Sequence, residues 1–170
     1  MTGWAALLRA VNVGGTGKLP MAQLKTLCEE LGLERVRTYI ASGNVVFASE
    51  REESVLKAAL EAALARQYGK PIEVLVRSAA DMARVAAANP WPDRPGNRVA
   101  VIFCEVAPSL DGVTGQRGEV VALGQRELFV DYADGMADTK LRIPCAKLGT
   151  ARNMNTVAKL AELAAAADAG

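Results

Sequence analysis

The stretch WAALLRAVNVGGTGKLPM, residues 4–21, decides how the chain is read. It starts as a strand with Trp4, Ala6 and Leu8 on one side and Ala5 and Leu7 on the other, apolar on both. A strand wetted on one face alternates polar with apolar residues, so this one belongs at the centre of a sheet covered on both sides. A glycine-containing loop, Asn12 to Lys18, follows it. Pro20 then opens a helix at its first position.

Moving outward, Met21, Leu24, Cys28 and Leu31 recur at helical spacing, and Gly32 ends the helix. Arg35 to Ile40 alternates, Ser42-Gly43-Asn44 turns the chain, and Val45 to Ala48 returns as a hairpin. Ser49 and Glu52 read as a capping box before a second helix carrying Val55, Leu56, Ala59, Leu60, Ala63 and Leu64 on one face. Gly69 and Pro71 stop it, and Ile72 to Arg77 is a fourth strand near an edge. The order strand, helix, strand, strand, helix, strand is the ferredoxin-like arrangement.

Ser78 and Asp81 start a short helix that Asn89-Pro90 ends. Val99 to Val106 is a second central strand, a turn-rich segment with helical potential runs from Ala107 to Arg117, and Glu119 to Leu123 with Glu127 to Tyr132 forms another hairpin. Asp134 to Leu148 is loop or broken helix around Pro144, and a last helix follows Asn153 or Asn155. The expected fold class is therefore α/β in the α+β sense. It has a ferredoxin-like βαββαβ first half, a degenerate second half that echoes it, and a C-terminal helix. The expected boundaries are 1–89, a linker at 90–97, and 98–170.

Composition narrows the chemistry. The chain has 170 residues, no histidine and a formal net charge of +1. Without histidine, Ser-His-Asp and Cys-His mechanisms are excluded, and any acid or base is a carboxylate, Lys, Tyr or Cys with a shifted pKa. The near-zero charge supplies no overall field for nucleic acid or an anionic membrane. Cys28, Cys104 and Cys145 are dispersed and odd in number, which fits neither a disulfide framework nor a metal site, and points to reduced thiols in the cytoplasm. There is no leader-like N-terminus and no run near the roughly 18 apolar residues of a membrane span.

The loop is where a ligand would sit. In a ferredoxin-like unit, the Asn12 to Lys18 loop and the Ser42-Gly43-Asn44 turn meet at one end of the sheet. With Pro20 at the first helical position, Leu19 becomes the N-cap and offers no side-chain acceptor to the first-turn N–H groups. An anion held by those groups, Arg9 and Lys18 would satisfy them. The glycines equally fit a left-handed turn beside a solvated lysine. The loop is not a P-loop, because Asn12 stands at the first glycine position and Leu19 where Ser or Thr would hold magnesium, and Pro20 spoils a dinucleotide fingerprint. Near the other end, Arg152, Asn153 and Asn155 surround a helix start. Either an Asn simply caps that helix or Arg152 makes a second anion site there.

These residues resemble a known family. Ala6 to Arg9 with Val11 to Gly15, Lys18, Pro20-Met21 and Leu24, then Thr38 to Ile40 with Ser42 to Phe47, are similar to the bacterial domain-of-unknown-function family 1697. Lys140-Leu141, Arg152 to Val157 and Lys159-Leu160 resemble that family's closing motif. Ala10 and Met154 depart from it, standing where the family usually has glycine and tryptophan. The resemblance implies an α/β fold with ferredoxin-like subdomains, and no reaction, cofactor or partner.

The expectation is a protein that binds a small phosphate- or carboxylate-bearing ligand through Arg9, Asn12, Gly14, Gly15, Lys18, Ser42, Gly43, Asn44, Arg152, Asn153 and Asn155. No catalytic residue, cofactor or metal ligand is identified. The alternatives are an RNA- or single-strand-binding module, disfavoured by few aromatics and balanced charge, and a non-enzymatic homo-oligomeric interaction protein.

Overall fold

The structure is a computed structural model that describes residues 1–9, 19–40, 42–133 and 135–169. The elements run β1 (Thr2–Leu8), α1 (Met21–Glu30), β2 (Glu34–Thr38), β3 (Asn44–Ser49), α2 (Glu53–Tyr68), β4 (Val74–Ser78), α3 (Ala79–Ala87), β5 (Val99–Phe103), β6 (Val120–Leu123), β7 (Glu127–Asp131), β8 (Thr150–Asn153) and α4 (Met154–Ala169). A short 3-10 turn, Pro144–Leu148, precedes β8.

The first sheet has the order β2-β3-β1-β4 with every pair antiparallel, which is the ferredoxin-like topology read from the sequence. β1 is central and buried on both faces from Gly3 to Leu8. Trp4, Ala6 and Leu8 meet Leu24, Leu27 and Cys28 of α1 and Leu56, Leu60 and Leu64 of α2 in one core. The i, i+4, i+8 spacing of the α2 leucines places them on one stripe, and that stripe is what the sheet buries. Gly69 closes α2 in the left-handed conformation at φ +70, its N–H reaching Ala65 O.

Two caps differ from the sequence reading. β3 runs through Ser49, whose hydroxyl accepts the Arg51 N–H at 3.1 Å, and Glu52 is the N-cap of α2 without a side-chain bond. A serine already held in a strand cannot also cap the helix, so the capping box does not form. At α1 the N-cap is Pro20 rather than Leu19, because the 4% exposed Leu19 is drawn into the core.

The second sheet has the order β6-β7-β5-β8, again all antiparallel. With β5 set equal to β1, this is the same strand order as the first. Its crossovers are reduced: the segment after β5 carries no helix and is tied by a bridge between Thr114 and Arg142, and the described residues after β7 keep only the 3-10 turn. Ile102, Cys104, Leu128 and Val130 form a smaller core beneath them. The strand β8 is a correction, since Thr150–Asn153 was read as a helix approach. Four residues without apolar alternation give no strand signal, and pairing with β5 makes the strand.

The chain clusters into two compact units, Met1–Ala83 with Leu160–Gly170, and Arg84–Lys159. The end of α4 joins the first unit because Gly3 lets it approach β1: the Gly3 N–H donates to Asp168 Oδ1 at 2.8 Å, and Arg35 donates to Ala167 O at 2.9 Å.

Candidate functional site

At the end of the first sheet where β1 finishes, four segments converge. The Leu8 N–H donates to Gly43 O at 2.8 Å and the Arg9 N–H to Glu73 O at 2.9 Å, so the β2–β3 turn and the start of β4 flank the strand end. Ser42, Gly43 and Asn44 are placed here. Asn44 is fully buried, and its amide donates to Tyr39 O at 3.0 Å and to Ser42 Oγ at 2.8 Å, fixing the turn from inside. Helix α1 begins at the same end, with no acidic residue in its first turn and no side-chain cap on Pro20.

The charges at this end balance locally. The Arg9 guanidinium lies 3.6 Å from the Glu73 carboxylate, with the two side chains 32% and 51% exposed. An ion pair that open contributes about 0–1 kcal/mol, so an incoming anion can compete with Glu73 for Arg9. Lys57 donates to Glu61 at 2.9 Å and to Val74 O at 2.6 Å, while Glu61 accepts the Val74 N–H at 3.0 Å. Glu73, Lys57 and Glu61 were missed by sequence reasoning. The only signal was the i, i+4 spacing of Lys57 and Glu61, which says nothing of their reach to β4.

Asn12, Gly14, Gly15 and Lys18 lie outside the described residues.

Arg152, Asn153 and Asn155 belong to the second unit. Arg152 is the penultimate residue of β8, 7% exposed, and its Nη1 donates to Thr150 Oγ1 at 2.6 Å and to Ala151 O at 2.9 Å. Burial lowers its pKa to about 10. Asn153 caps α4 by accepting the Thr156 N–H at 2.9 Å. Asn155 is exposed and sits over Gly96, where a Cβ would collide with its Oδ1.

The first unit repeats this junction. Arg77 is the penultimate residue of β4, fully buried, with its Nη1 donating to Val76 O at 2.9 Å, and Ser78 Oγ accepts the Asp81 N–H at 3.1 Å. An arginine turned onto the preceding carbonyl, followed by a capping residue and a helix, closes both sheets. That repetition gives Arg152 and Asn153 a part in the strand-to-helix junction. The strand-end stitch is repeated too: the Cys104 N–H donates to Arg126 O at 3.0 Å, as Leu8 does to Gly43. Glu127 occupies the place of Asn44, equally buried, and accepts the Gln125 and Arg126 N–H groups.

A cleft of about 180 Å³ in the second unit, lined by Arg117, Glu119, Tyr132, Thr139 and Lys140, has a structural explanation. The Thr139 hydroxyl, and then the Arg117 N–H, hold the Glu119 carboxyl below the usual carboxylate range. Burial and the Glu119 charge push the Tyr132 phenol up. Both Glu119 oxygens are used in tying this crossover to the start of β6. None of the three cysteines is in a disulfide. The half-buried Cys145 donates to Ser109 O at 3.1 Å, and burial, followed by Glu29, pushes the Cys28 thiol up to about 12.

A family model described as a protein of unknown function (DUF1697) matches residues 1–129. The chain belongs to that family. The match covers the whole of the first sheet and runs into β7, so the Arg152 segment lies beyond it. A solved structure titled as the conserved bacterial protein SP0830 from Streptococcus pneumoniae resembles the chain with a TM-score of 0.77 and 27% identity, covering 95% of this chain and 98% of that one. No curated protein matches. The DUF1697 chain thus shares its two-sheet architecture with a conserved bacterial protein. No described helix is long and apolar enough to cross a membrane.

Proposed function

We propose that this protein binds a small phosphate- or carboxylate-bearing ligand at the β1 end of the first sheet. The observation that carries the reading is the Leu8 to Gly43 hydrogen bond, which holds the Ser-Gly-Asn turn against the strand end that leads into residues 10–18. The sequence of that segment supplies Asn12, Gly14, Gly15 and Lys18. Arg9 adds a second cation whose pairing with Glu73 is open to water, and α1 adds a terminus without a side-chain cap.

The dipole of α1 contributes about 0.3–1 kcal/mol to an anion, so Lys18 and Arg9 carry most of the affinity. The corresponding end of the second sheet supports the assignment by contrast. It has the same backbone stitch but runs into Glu105-Val106-Ala107-Pro108, with neither glycine nor cation. Base stacking finds little support at the first sheet, because Ala5, Leu7, Val46 and Leu75 are buried on the face that α1 and α2 leave uncovered.

Isothermal titration with inorganic phosphate, a nucleoside monophosphate and acetyl phosphate tests the proposal. At least one is expected to bind, with Lys18→Ala weakening it about tenfold, the loss of one charge-assisted bond. Absence of heat with all three, or an affinity untouched by Lys18→Ala, would falsify it.

A further inference from the structure

Of the outer strands β2, β4, β6 and β8, all but β6 have a protected free edge. In an antiparallel ladder successive residues turn their backbone N–H and C=O toward opposite neighbours. Arg9 spends its N–H on Glu73 O, so Val74 and Val76 of β4 turn theirs outward. Side chains of the same unit occupy that edge. Lys57 donates to Val74 O at 2.6 Å, Glu61 accepts the Val74 N–H at 3.0 Å, and Arg77 Nη1 donates to Val76 O at 2.9 Å. At β8 the outward carbonyl is that of Ala151, and Arg152 Nη1 takes it at 2.9 Å. β2 is broken by a bulge between Glu34 and Arg37 and carries Glu34, Arg35 and Arg37, exposed charges that discourage another strand from pairing.

β6 has none of these devices. The Gly124 N–H donates to Glu127 O at 2.7 Å, so Gly124, Ala122 and Val120 face β7, while Val121 and Leu123 turn their backbone groups outward. No described residue pairs with those outward groups. The strand, VVAL, has no charge, proline or register break, and Val120 and Leu123 are 48% and 52% exposed. An apolar edge left open in this way is a template for a further strand.

We infer that β6 pairs antiparallel with β6 of a second copy of this chain, joining the second sheets of the two copies across a two-fold axis. Such an interface is isologous, so the strand must be complementary to itself. VVAL meets that condition, because it sets no like charges opposite one another. With Val121 hydrogen-bonded to Leu123 of the second copy, Ala122 lies opposite its own counterpart and puts no bulk on the axis. Glu119 of each copy then falls beside Arg126 of the other, opposite charges at both ends of the pair. A parallel pairing would instead set Glu119 beside Glu119.

Sedimentation velocity of the full chain tests the pairing. So short a strand makes a small interface, and a weak dimer is expected to form within the range of about 10 µM to 1 mM. Val120→Lys combined with Leu123→Lys alters two exposed side chains and gives β6 the charge that β2 carries. It is expected to weaken dimerisation about tenfold or more while the circular dichroism spectrum stays the same. Amide exchange followed by NMR reads the edge of the unaltered chain directly, and decides the matter should the double variant fail to fold. The Val121 and Leu123 N–H groups are expected to exchange more slowly at the high concentration than at the low one. A chain that stays monomeric throughout would overturn the self-pairing and leave the edge to an extended segment of another protein. A dimer that the folded double variant does not weaken, or one that leaves Val121 and Leu123 exchange unchanged, would overturn it by placing the interface elsewhere.

Discussion

Gly3→Ala tests the close approach of α4 to β1. A Cβ at position 3 would lie 2.0 Å from Ala164 O and 2.8 Å from Asp168 N, both backbone atoms of α4. Ordinary contact begins near 3.4 Å, so the helix must retreat by more than 1 Å. A gap of that size forfeits about a quarter to a half of each dispersion contact made by the buried Leu163, Ala164 and Ala167. Overpacking strain contributes about 1–3 kcal/mol, and loss of the Gly3 to Asp168 bond about 1 kcal/mol. Alanine's restricted unfolded state offsets about 0.4–1 kcal/mol. The net expectation is a loss of about 2–3 kcal/mol, or a fall in Tm of roughly 5–10 °C for a chain of this length. Urea unfolding followed by circular dichroism measures it, with Gly69→Ala as the comparison. At Gly69 no atom lies within 4 Å of a built Cβ and only the positive φ is at stake, so about 1 kcal/mol is expected. A Gly3→Ala midpoint equal to that of the unaltered protein would refute the packing argument.

Other outcomes follow from side chains. Glu127 is fully buried and takes a bidentate pair from Arg84 at 3.0 and 3.3 Å as well as two backbone N–H groups; Glu127→Ala should cost about 3 kcal/mol in urea unfolding, and a cost below 1 kcal/mol would mean the network is not needed. Asn44→Ala should lower stability by about 1–3 kcal/mol by leaving the Tyr39 carbonyl without its amide donor, read from the same experiment. Glu119 has a folded pKa below its unfolded one, so its stabilisation is complete above the ordinary carboxylate value and is lost as pH falls through the folded value. Stability measured from about pH 5 downward should therefore decline less steeply in Glu119→Gln than in the unaltered chain. In thiol titration at pH 8, Cys28 and Cys104 should stay silent until the chain unfolds, because both are buried and the Cys28 thiol titrates near 12.

The first sheet was legible in the sequence because its strands and helices carry unambiguous periods. The two-faced apolar run at Trp4–Leu8 could only be a central strand, and the leucine stripe of α2 could only be one side of a helix. The second sheet was half legible. β5 and the β6–β7 hairpin announced themselves, whereas β8 is written in Thr, Ala, Arg and Asn and exists because β5 offers it an edge. The same segment reads two ways, since a cation beside two asparagines is equally the signature of an anion site and of a capped helix after a buried arginine. The duplicate at Arg77-Ser78 accounts for the capped helix, and it is visible only once β4 and β8 occupy the same place in their sheets.

The approach of α4 to Gly3 also orders events during synthesis. Gly3 and Asp168 are 165 positions apart, yet they share a hydrogen bond inside one compact unit. At bacterial elongation rates the ribosome needs on the order of ten seconds to make the residues between them. Until then β1 can pair with β3 and β4 but lacks the helix that its glycine admits. The unit begun first is the last to be completed, and a nascent chain stalled before residue 160 would hold its first sheet without the helix that closes on Gly3.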